Sequence, residues 1–226
     1  YRGPVLSSNG ETMHKTYGSA LICSMVGLAA IGGGAQAQTL SEREAKMFAA
    51  GTGYERFMGR WSRLLAPQLV AFAGVRDGDR VLDVGTGTGA LAAALEKAGP
   101  AVQVVGIDPS EGFIGFARKN SRSPQLSFEV GDAQALRFPD ASFDATMALL
   151  VMNFVPDHVK AINEMRRVTR AQGTVAACVW DYDAGMEMLR FFWDEVVAMD
   201  PKMEARDERH MKLSHRGQLA NLWTQA

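Results

Sequence analysis

The chain has little of the chemistry from which cross-linked or metal-bound domains are built. Its 226 residues include two cysteines, Cys23 and Cys178, and four histidines, and no Cys/His spacing among them resembles a zinc site. Two cysteines do not make a disulfide framework. We therefore predict no metal, and we expect stability to come from a hydrophobic core, for which an apolar content of 47% is sufficient.

An excess of one charge sign is also absent. The chain carries 24 basic and 25 acidic residues, which gives a formal net charge of -1, and it has no long run of like charge. A basic groove for nucleic acid or an acidic tail is therefore not indicated, and we predict no nucleic-acid partner. Composition leaves the oligomeric state open.

Long apolar runs are missing as well, apart from one near the start. The run "ALICSMVGLAAI" (residues 20–31) is too short to cross a bilayer, so no membrane partner is predicted. A basic pair precedes it and an A-x-A sequence (residues 35–37) follows it, which is the pattern of a signal peptide. The alternative is an accidental apolar run in a non-native extension. In either case residues 1–40 are left out of the predicted fold.

The remaining chain divides near residue 76. Residues 41–75 have a helical apolar pattern that starts with Ser41 and Glu44 at capping-box spacing, and they are predicted to form N-terminal lid or cap helices. Within them, Tyr54 and Trp61 have aromatic faces suited to a cationic ligand. Residues 76–226 are predicted to form the core of the domain.

Short apolar runs alternate with helical patterns of about ten residues throughout this core. Such alternation predicts βαβ units, and continuous apolar runs are typical of buried parallel strands. We therefore predict an α/β fold: a Rossmann-like, doubly wound, mainly parallel sheet with helices on both faces. Strands are predicted at residues 81–84, 102–107, 126–130, 144–152 and 174–180, and helices at residues 90–98, 110–119, 157–169 and 185–199.

Three glycines in "VLDVGTGTG" follow the first of these strands. Gly85, Gly87 and Gly89 therefore lie beyond the carboxyl end of the sheet, at the point where its strand order reverses and ligands bind. Glycine lets a backbone adopt positive φ and lets a ligand approach closely. Asp108 ends the next strand, where an acidic side chain can accept hydrogen bonds from ribose hydroxyls. Nicotinamide and S-adenosylmethionine sites share these features, so the loop alone does not decide between them.

Two further carboxylates favour the methyl donor. Asp83 lies two residues before Gly85, where it would repel a pyrophosphate by roughly a kcal/mol or more but would attract an ammonium and a sulfonium. Asp132, in "GDAQAL" after the third strand, is positioned to accept a hydrogen bond from an adenine amino group. Purely structural roles remain open: Asp83 pairing with Arg80 or Lys97, Asp132 capping a turn, and Gly89 allowing helix and strand to pack.

Four segments in order now resemble a known family. "VLDVGTGTG", "VVGIDPSEGFIGFAR", "VGDAQALRFPDASFDATMALLVMNF" and "EMRRVTRAQGTVAACVW" look like the successive motifs of class I S-adenosylmethionine-dependent methyltransferases. The resemblance is to the small-molecule branch that includes the ubiquinone/menaquinone C-methyltransferases, and it spans about residues 50–225.

The resemblance implies S-adenosylmethionine as cofactor, a small-molecule substrate, and roles for particular residues. The loop residues, Thr86 included, would wrap the methionine part, and Asp83 would lie beside it. Asp108, flanked by Pro109 and Ser110, would take the ribose. The adenine would lie against Asp132 and Ala133, and the remaining predicted cofactor contact is Asn153, which lies with Phe154 near the substrate mouth.

The reaction implied is methyl transfer by in-line displacement, for which a general base is needed only if the acceptor must lose a proton. The candidates are His158, at the start of a helix beyond the fourth strand, and Asp181 and Tyr182, beyond the fifth. Two alternatives remain: an NAD(P)-dependent oxidoreductase, and a truncated, non-catalytic cofactor-binding fold.

The ends of the chain depart from the family pattern. Family members continue into two more strands, so we expect the C-terminal strands to be missing and residues 174–180 to form an exposed sheet edge. S-adenosylmethionine is a cytosolic metabolite, so the resemblance implies a cytoplasmic enzyme. Export through the signal-like segment, residues 13–37, is the alternative.

Overall fold

The computed structural model describes residues 51–182 and 185–225, with the side chains of Thr52 and Phe57 left aside. The predictions made for residues 1–40, and for the capping box at Ser41, lie outside the described residues. Among the helices of the described residues, none combines the length and the apolar character needed to cross a membrane.

Five parallel strands form one sheet in the order β3-β2-β1-β4-β5. The chain starts in the middle of the sheet, moves outward through β2 and β3, and returns to the other side of β1 at β4. The point of reversal therefore lies between β1 and β4, as the sequence predicts. The strands are β1 Arg80–Val84, β2 Gln103–Asp108, β3 Leu126–Val130, β4 Phe143–Leu149 and β5 Thr169–Cys178.

Helices connect the strands and precede them. A π-helical turn, Glu55–Gly59, joins the first two helices into one continuous helical segment. The helices are α1 Gly51–Tyr54, α2 Arg60–Ala73, α3 Ala90–Leu95, α4 Glu111–Asn120, α5 His158–Val168, α6 Glu187–Met199 and α7 Gln218–Gln225. Short 3₁₀ turns lie at Glu96–Ala98, Met152–Phe154, Pro201–Arg206 and Glu208–His210.

Helices cover both faces of the sheet, because alternate strand residues point to opposite sides. On one face Val81 of β1 packs in a buried cluster with Leu69 of α2 and Leu91 of α3. On the other face Leu82 of β1 packs in a cluster with Ile162 of α5. The two clusters confirm the predicted doubly wound, Rossmann-like fold.

A third buried cluster forms a cap on the fold. It joins Met58 of the π-helical turn to Leu189 and Trp193 of α6, and to Tyr182 and Met186 before that helix. Trp180, which follows β5, and Trp61 pack against it. Residues that precede the sheet therefore meet residues that follow β5 in one apolar unit.

Strand β5 begins five residues earlier than predicted. Phe143 pairs with Thr169, but the next pair, Ala145, aligns with Thr174, so the residues between them bulge out of register. Gln172 accordingly has a φ of +62°. Strand β4 ends at Leu149 rather than at residue 152, because Leu150 adopts a left-handed φ of +59° that a strand does not continue. Within the described residues β5 pairs only with β4, so it is an edge strand.

Candidate functional site

The glycine loop leaves β1 and turns back sharply above the sheet. Gly85 has a φ of +70°, and a Cβ atom on it would lie 2.3 Å from Cγ2 of Val151. Both observations require glycine at this position. Gly87 has a φ of +53°, and a Cβ atom on it would have no other atom within 4 Å, so a ligand can approach its backbone. Gly89, also at positive φ, precedes α3.

Hydrogen bonds of Thr86 hold this loop in place. Its backbone N–H donates to the carbonyl of Ile107 in β2 at 2.8 Å. Its hydroxyl donates to Oδ2 of Asp83 at 2.7 Å, and its carbonyl accepts from the N–H of Gly89 at 2.8 Å. The loop is therefore tied to both central strands before any ligand contributes.

Asp83 is a fully buried carboxylate at the end of β1. Burial raises its pKa from the ordinary 3.8 to about 7, with a smaller contribution from nearby Asp108, against the opposing hydrogen bonds of the Thr86 hydroxyl and the Ala92 N–H. Its Oδ1 has no hydrogen-bond partner of good geometry among the described residues. It is not paired with Arg80 or Lys97 by any contact that the structure shows. A cationic donor beside Oδ1 would satisfy both its charge and its lone pairs.

Asp108 is brought directly onto the glycine loop by the end of β2. Its Oδ2 accepts a hydrogen bond from the Gly87 N–H at 3.0 Å, and its Oδ1 accepts one from the Ser110 N–H at 2.9 Å. Burial raises its pKa, and these two hydrogen bonds oppose the rise. Each oxygen keeps a lone pair, so two hydroxyl groups on neighbouring carbons can still be bound. Ser110 also caps α4, since its hydroxyl accepts from the Phe113 N–H at 3.3 Å; Pro109, between them, is exposed.

Asp132 follows β3 and is exposed to solvent. Its Oδ1 accepts hydrogen bonds from the backbone N–H of Gln134 at 2.8 Å and from the side-chain amide of the same residue at 3.1 Å, which lowers its pKa. The carboxylate therefore caps a turn, the structural role left open by the sequence. Its predicted contact with adenine stays a prediction, as does that of Ala133, which packs at the edge of the α5 cluster.

Asn153 is buried and connects the loops that follow β4 and β5. Its Oδ1 accepts a hydrogen bond from the Trp180 N–H at 2.9 Å, and its Nδ2 donates to the carbonyls of Trp180 and Lys212 at 3.4 and 3.3 Å. The whole amide is thus used by the main chain. This arrangement favours a positioning role over the predicted direct contact with the cofactor.

Comparisons with known proteins agree with this geometry. Residues 82–177 match a family described as "Methyltransferase domain". Over these residues, which are less than half of the chain, it is similar to methyltransferase domains. The matched residues include the glycine loop, Asp83, Asp108, Asp132 and Asn153, and the oxidoreductase alternative gains no support.

The relatives of this chain include proteins named demethylmenaquinone methyltransferase. A demethylmenaquinone methyltransferase of Deinococcus radiodurans is 41% identical over 116 residues, which are 50% of this chain and 46% of that protein. An uncharacterised protein of Mycobacterium tuberculosis is 34% identical over 143 residues, 63% of this chain and 52% of that one. The chain spans about half the length of the curated relatives it matches.

Among solved structures, a similar one comes from the complex between the Haloferax volcanii Trm112 methyltransferase activator and a protein assigned as a methyltransferase. The likeness has a TM-score of 0.56 at 27% identity and covers 73% of this chain and 74% of that one. S-adenosylmethionine is the cofactor of this class of domain. The charged groups of this site suit the positive charges of S-adenosylmethionine, because a buried carboxylate with a free oxygen lies next to an open glycine backbone and a second carboxylate.

Of the three candidate bases, Asp181 is the one that lines the cavity next to this site. His158 is buried, its Nε2 has no partner among the described residues, and burial together with Lys212 lowers its pKa. It lines a groove against α7 that shares no residue with the cavity of Asp181. Tyr182 is buried within the cap. Within the described ranges no three His, Cys, Asp or Glu residues are grouped to hold a metal ion.

Two cavities meet at the end of β4. The first, of about 20 Å³, lies on the glycine loop and is lined by Ser62 and Leu149, among others. The second, of about 190 Å³, is mainly apolar. Because consecutive residues line the two cavities, Trp61 next to Ser62 and Leu150 next to Leu149, the cavities are neighbours. The larger cavity is lined by Trp61, Leu64, Leu65, Leu150, Val179, Trp180, Asp181, Gly185 and Met186.

The sequence did not single out several residues of these cavities. Ser62, Leu150 and Trp180 were not among the predicted site residues, and only the fold brings them together. Glu55 and Arg63 also lie at the glycine loop and were not predicted to do so. Helical spacing gave no indication of this, since the π-helical turn Glu55–Gly59 departs from the α-helical period between the two residues.

Proposed function

We propose that this chain transfers a methyl group from S-adenosylmethionine to a small, largely apolar acceptor. The observation that carries the proposal is the convergence of two buried carboxylates on one glycine loop: Asp83 through Thr86 at 2.7 Å and Asp108 through Gly87 at 3.0 Å. A dinucleotide would place its pyrophosphate against Asp83, where the charges repel. An amino acid ammonium suits the same position.

The residues of the loop and strand ends would divide the cofactor among them. In this proposal the free Oδ1 of Asp83 accepts from the ammonium group, and the remaining lone pairs of Asp108 accept from the two ribose hydroxyls. Asp132 and Ala133 lie beside the adenine. Asn153 holds the loops after β4 and β5 together and so fixes the wall of the acceptor cavity.

The acceptor would bind in the cavity of about 190 Å³ between Trp61 and Trp180. A dry cavity of roughly 150 Å³ can hold a single aromatic ring, so this one suits one ring with small substituents or one end of a longer molecule. The Nε1 atom of Trp61 is buried without a partner among the described residues, so it can donate to an acceptor oxygen. The relatives named demethylmenaquinone methyltransferase support a ring compound of this kind.

When bound, S-adenosylmethionine supplies a methyl group that is already activated. The residues of the chain would then orient the acceptor and exclude water, and orientation of this kind can contribute about 7–11 kcal/mol to rate acceleration. Asp181 is the one carboxylate that lines the acceptor cavity in the described part of the chain, so it would take the proton of an acceptor that must lose one. We also propose a cytoplasmic location, because the cofactor is cytosolic.

The test is calorimetric titration of the whole chain with S-adenosylhomocysteine and, separately, with NADH. We expect micromolar binding of the first and none of the second. Asp108→Asn should weaken binding at least tenfold, since charge-assisted hydrogen bonds to hydroxyl groups are lost. Asp140→Asn, which changes an exposed carboxylate paired with Arg167, is the matched control and should have no effect. Binding of NADH alone, or of neither ligand to folded protein, would refute the proposal.

A further inference from the structure

The carboxylate of Glu55 lies on the glycine loop, although the residue belongs to the helical segment before the sheet. Its Oε1 accepts a hydrogen bond from the Thr88 hydroxyl, and its Oε2 pairs with the Arg63 guanidinium. Two donors from different parts of the fold therefore converge on one carboxylate. A hydroxyl and a guanidinium arranged in this way are a carboxylate-binding site, whichever molecule supplies the carboxylate.

The backbone around Glu55 is built to place its carboxylate there. The π-helical turn Glu55–Gly59 lies between two α-helical segments, and such turns are often found at functional sites. A Cβ atom on Gly59 would lie 2.4 Å from Oε2 of Glu55. Glycine at position 59 therefore makes room for the carboxylate to fold back along its own helix.

This contact lies beside the space that the cofactor needs. Thr88 lines both the cavity of about 20 Å³ on the inner side of the loop and the outer groove that contains Glu55 and Arg63. Tyr54 and Ser62, on either side of the π-helical turn, line the inner cavity. A cavity of that size holds about one water molecule, so the methionine part of the cofactor fits there only if this helical segment shifts.

We infer that Thr88 and Arg63 form the subsite for the carboxylate at the amino-acid end of the cofactor, and that Glu55 occupies this subsite in the structure. The inference rests on the proposed function. Two carboxylates cannot share one pair of donors without strong repulsion. Glu55 and the cofactor therefore compete, and the helical segment opens as Arg63 exchanges one carboxylate for the other.

A pair of nucleosides separates this subsite from the rest of the site. S-adenosylhomocysteine carries the amino-acid end, and 5′-methylthioadenosine lacks it. Titration calorimetry of the whole chain should show that Arg63→Gln weakens the first about tenfold or more and leaves the second unchanged, because a charge-assisted pair is lost. Arg63→Lys should restore part of the affinity. The control is Arg76→Gln, which removes an exposed arginine after α2.

Two independent substitutions remove or displace the carboxylate of Glu55. Glu55→Gln should tighten S-adenosylhomocysteine about three- to tenfold without changing 5′-methylthioadenosine. Gly59→Ala should act in the same direction, because its methyl group displaces the flexible end of Glu55 while favouring helix. Glu96→Gln is the control, since Glu96 lines the same groove without contacting either donor.

The outcomes distinguish failure of the proposed function from failure of the carboxylate subsite. If the unchanged chain binds neither nucleoside, the proposed function fails and this inference with it. If both nucleosides bind and Arg63→Gln weakens them equally, or if Glu55→Gln and Gly59→Ala leave S-adenosylhomocysteine unchanged or weaker, only the carboxylate subsite is refuted. Selective loss with Arg63→Gln and gain with the other two variants support it.

Discussion

The two halves of the site are built in different ways. The cofactor half consists of backbone groups and short side chains at the ends of β1 and β2, with Gly87 and Asp108 joined by a hydrogen bond of 3.0 Å. The acceptor half consists of large side chains from separate segments, and its walls include Trp61, Leu150 and Trp180. The first half is polar and tied to the sheet, whereas the second is apolar and tied to the cap.

This difference explains what each half can tolerate. Backbone geometry around the glycine loop is fixed by positive φ values and by a close approach to Val151, so small changes there are expected to be costly. The acceptor half is bounded by side chains that can be exchanged one at a time. In the proposed function, one half therefore sets the chemistry, and the other sets which molecule undergoes it.

The sharpest test of this contrast compares two glycines of the loop. Gly85→Ala should lower the free energy of unfolding by about 3–5 kcal/mol, because its methyl group would meet Val151 at a left-handed φ. Gly87→Ala, where the space is open, should cost only about 1 kcal/mol of backbone strain. Urea denaturation of the two variants measures the difference, and equal losses would contradict the assignment.

A second test uses the buried carboxylate of Asp83. An acid whose pKa is raised on folding, here from 3.8 to about 7, stabilises the fold most at low pH and loses that contribution as pH rises through this interval. The loss should be on the order of 2–4 kcal/mol between pH 4 and 7. In Asp83→Asn most of the slope should disappear. Asp108, whose pKa is also raised, contributes to the slope that remains.

Denaturant titrations at several pH values, run on both proteins, measure this slope. Identical pH profiles would mean that Asp83 is not titrating in this range. Asp140→Asn serves again as the control, since it removes an exposed carboxylate outside the site.

The smallest expected effect concerns the residue that joins the two halves. Asn153→Ala removes hydrogen bonds to Trp180 and Lys212, and it should cost about 1–3 kcal/mol of stability because buried groups lose partners. The affinity of folded protein for S-adenosylhomocysteine should change less than about twofold. The control, Asn120→Ala, affects an exposed helix end. A large loss of affinity at unchanged stability would instead support the direct cofactor contact predicted from the sequence.

The difference between the two halves also explains how much of the site could be predicted from the sequence. The parallel sheet and the place of the glycine loop follow from local patterns, because strand, loop and helix are adjacent in the chain. The acceptor cavity was not predicted, since Trp61 and Trp180 are far apart in sequence and meet only when α2 packs beside β5. Nor was the contact between Glu55 and Thr88, because a π-helical turn departs from the helical period on which prediction depends.

The predicted boundaries of β4 and β5 were wrong for a related reason. The start of β5 was placed at residue 174 because the bulge between Thr169 and Thr174 interrupts the apolar run, although pairing with β4 begins at Thr169. The end of β4 depends on the left-handed Leu150, which nothing in an apolar run indicates. Both features are consequences of tertiary contacts.

The shared wall between the two cavities has one more consequence. Ser62 faces one cavity and Trp61 the other, and Leu149 and Leu150 repeat the arrangement from the opposite side. Neighbouring Cα atoms are about 3.8 Å apart, a distance that covalent bonds fix. In the proposed function, the donor and acceptor compartments are thus held at a spacing set by the polypeptide itself. Substitutions can therefore enlarge, shrink or re-line either compartment while the backbone spacing between the two stays the same.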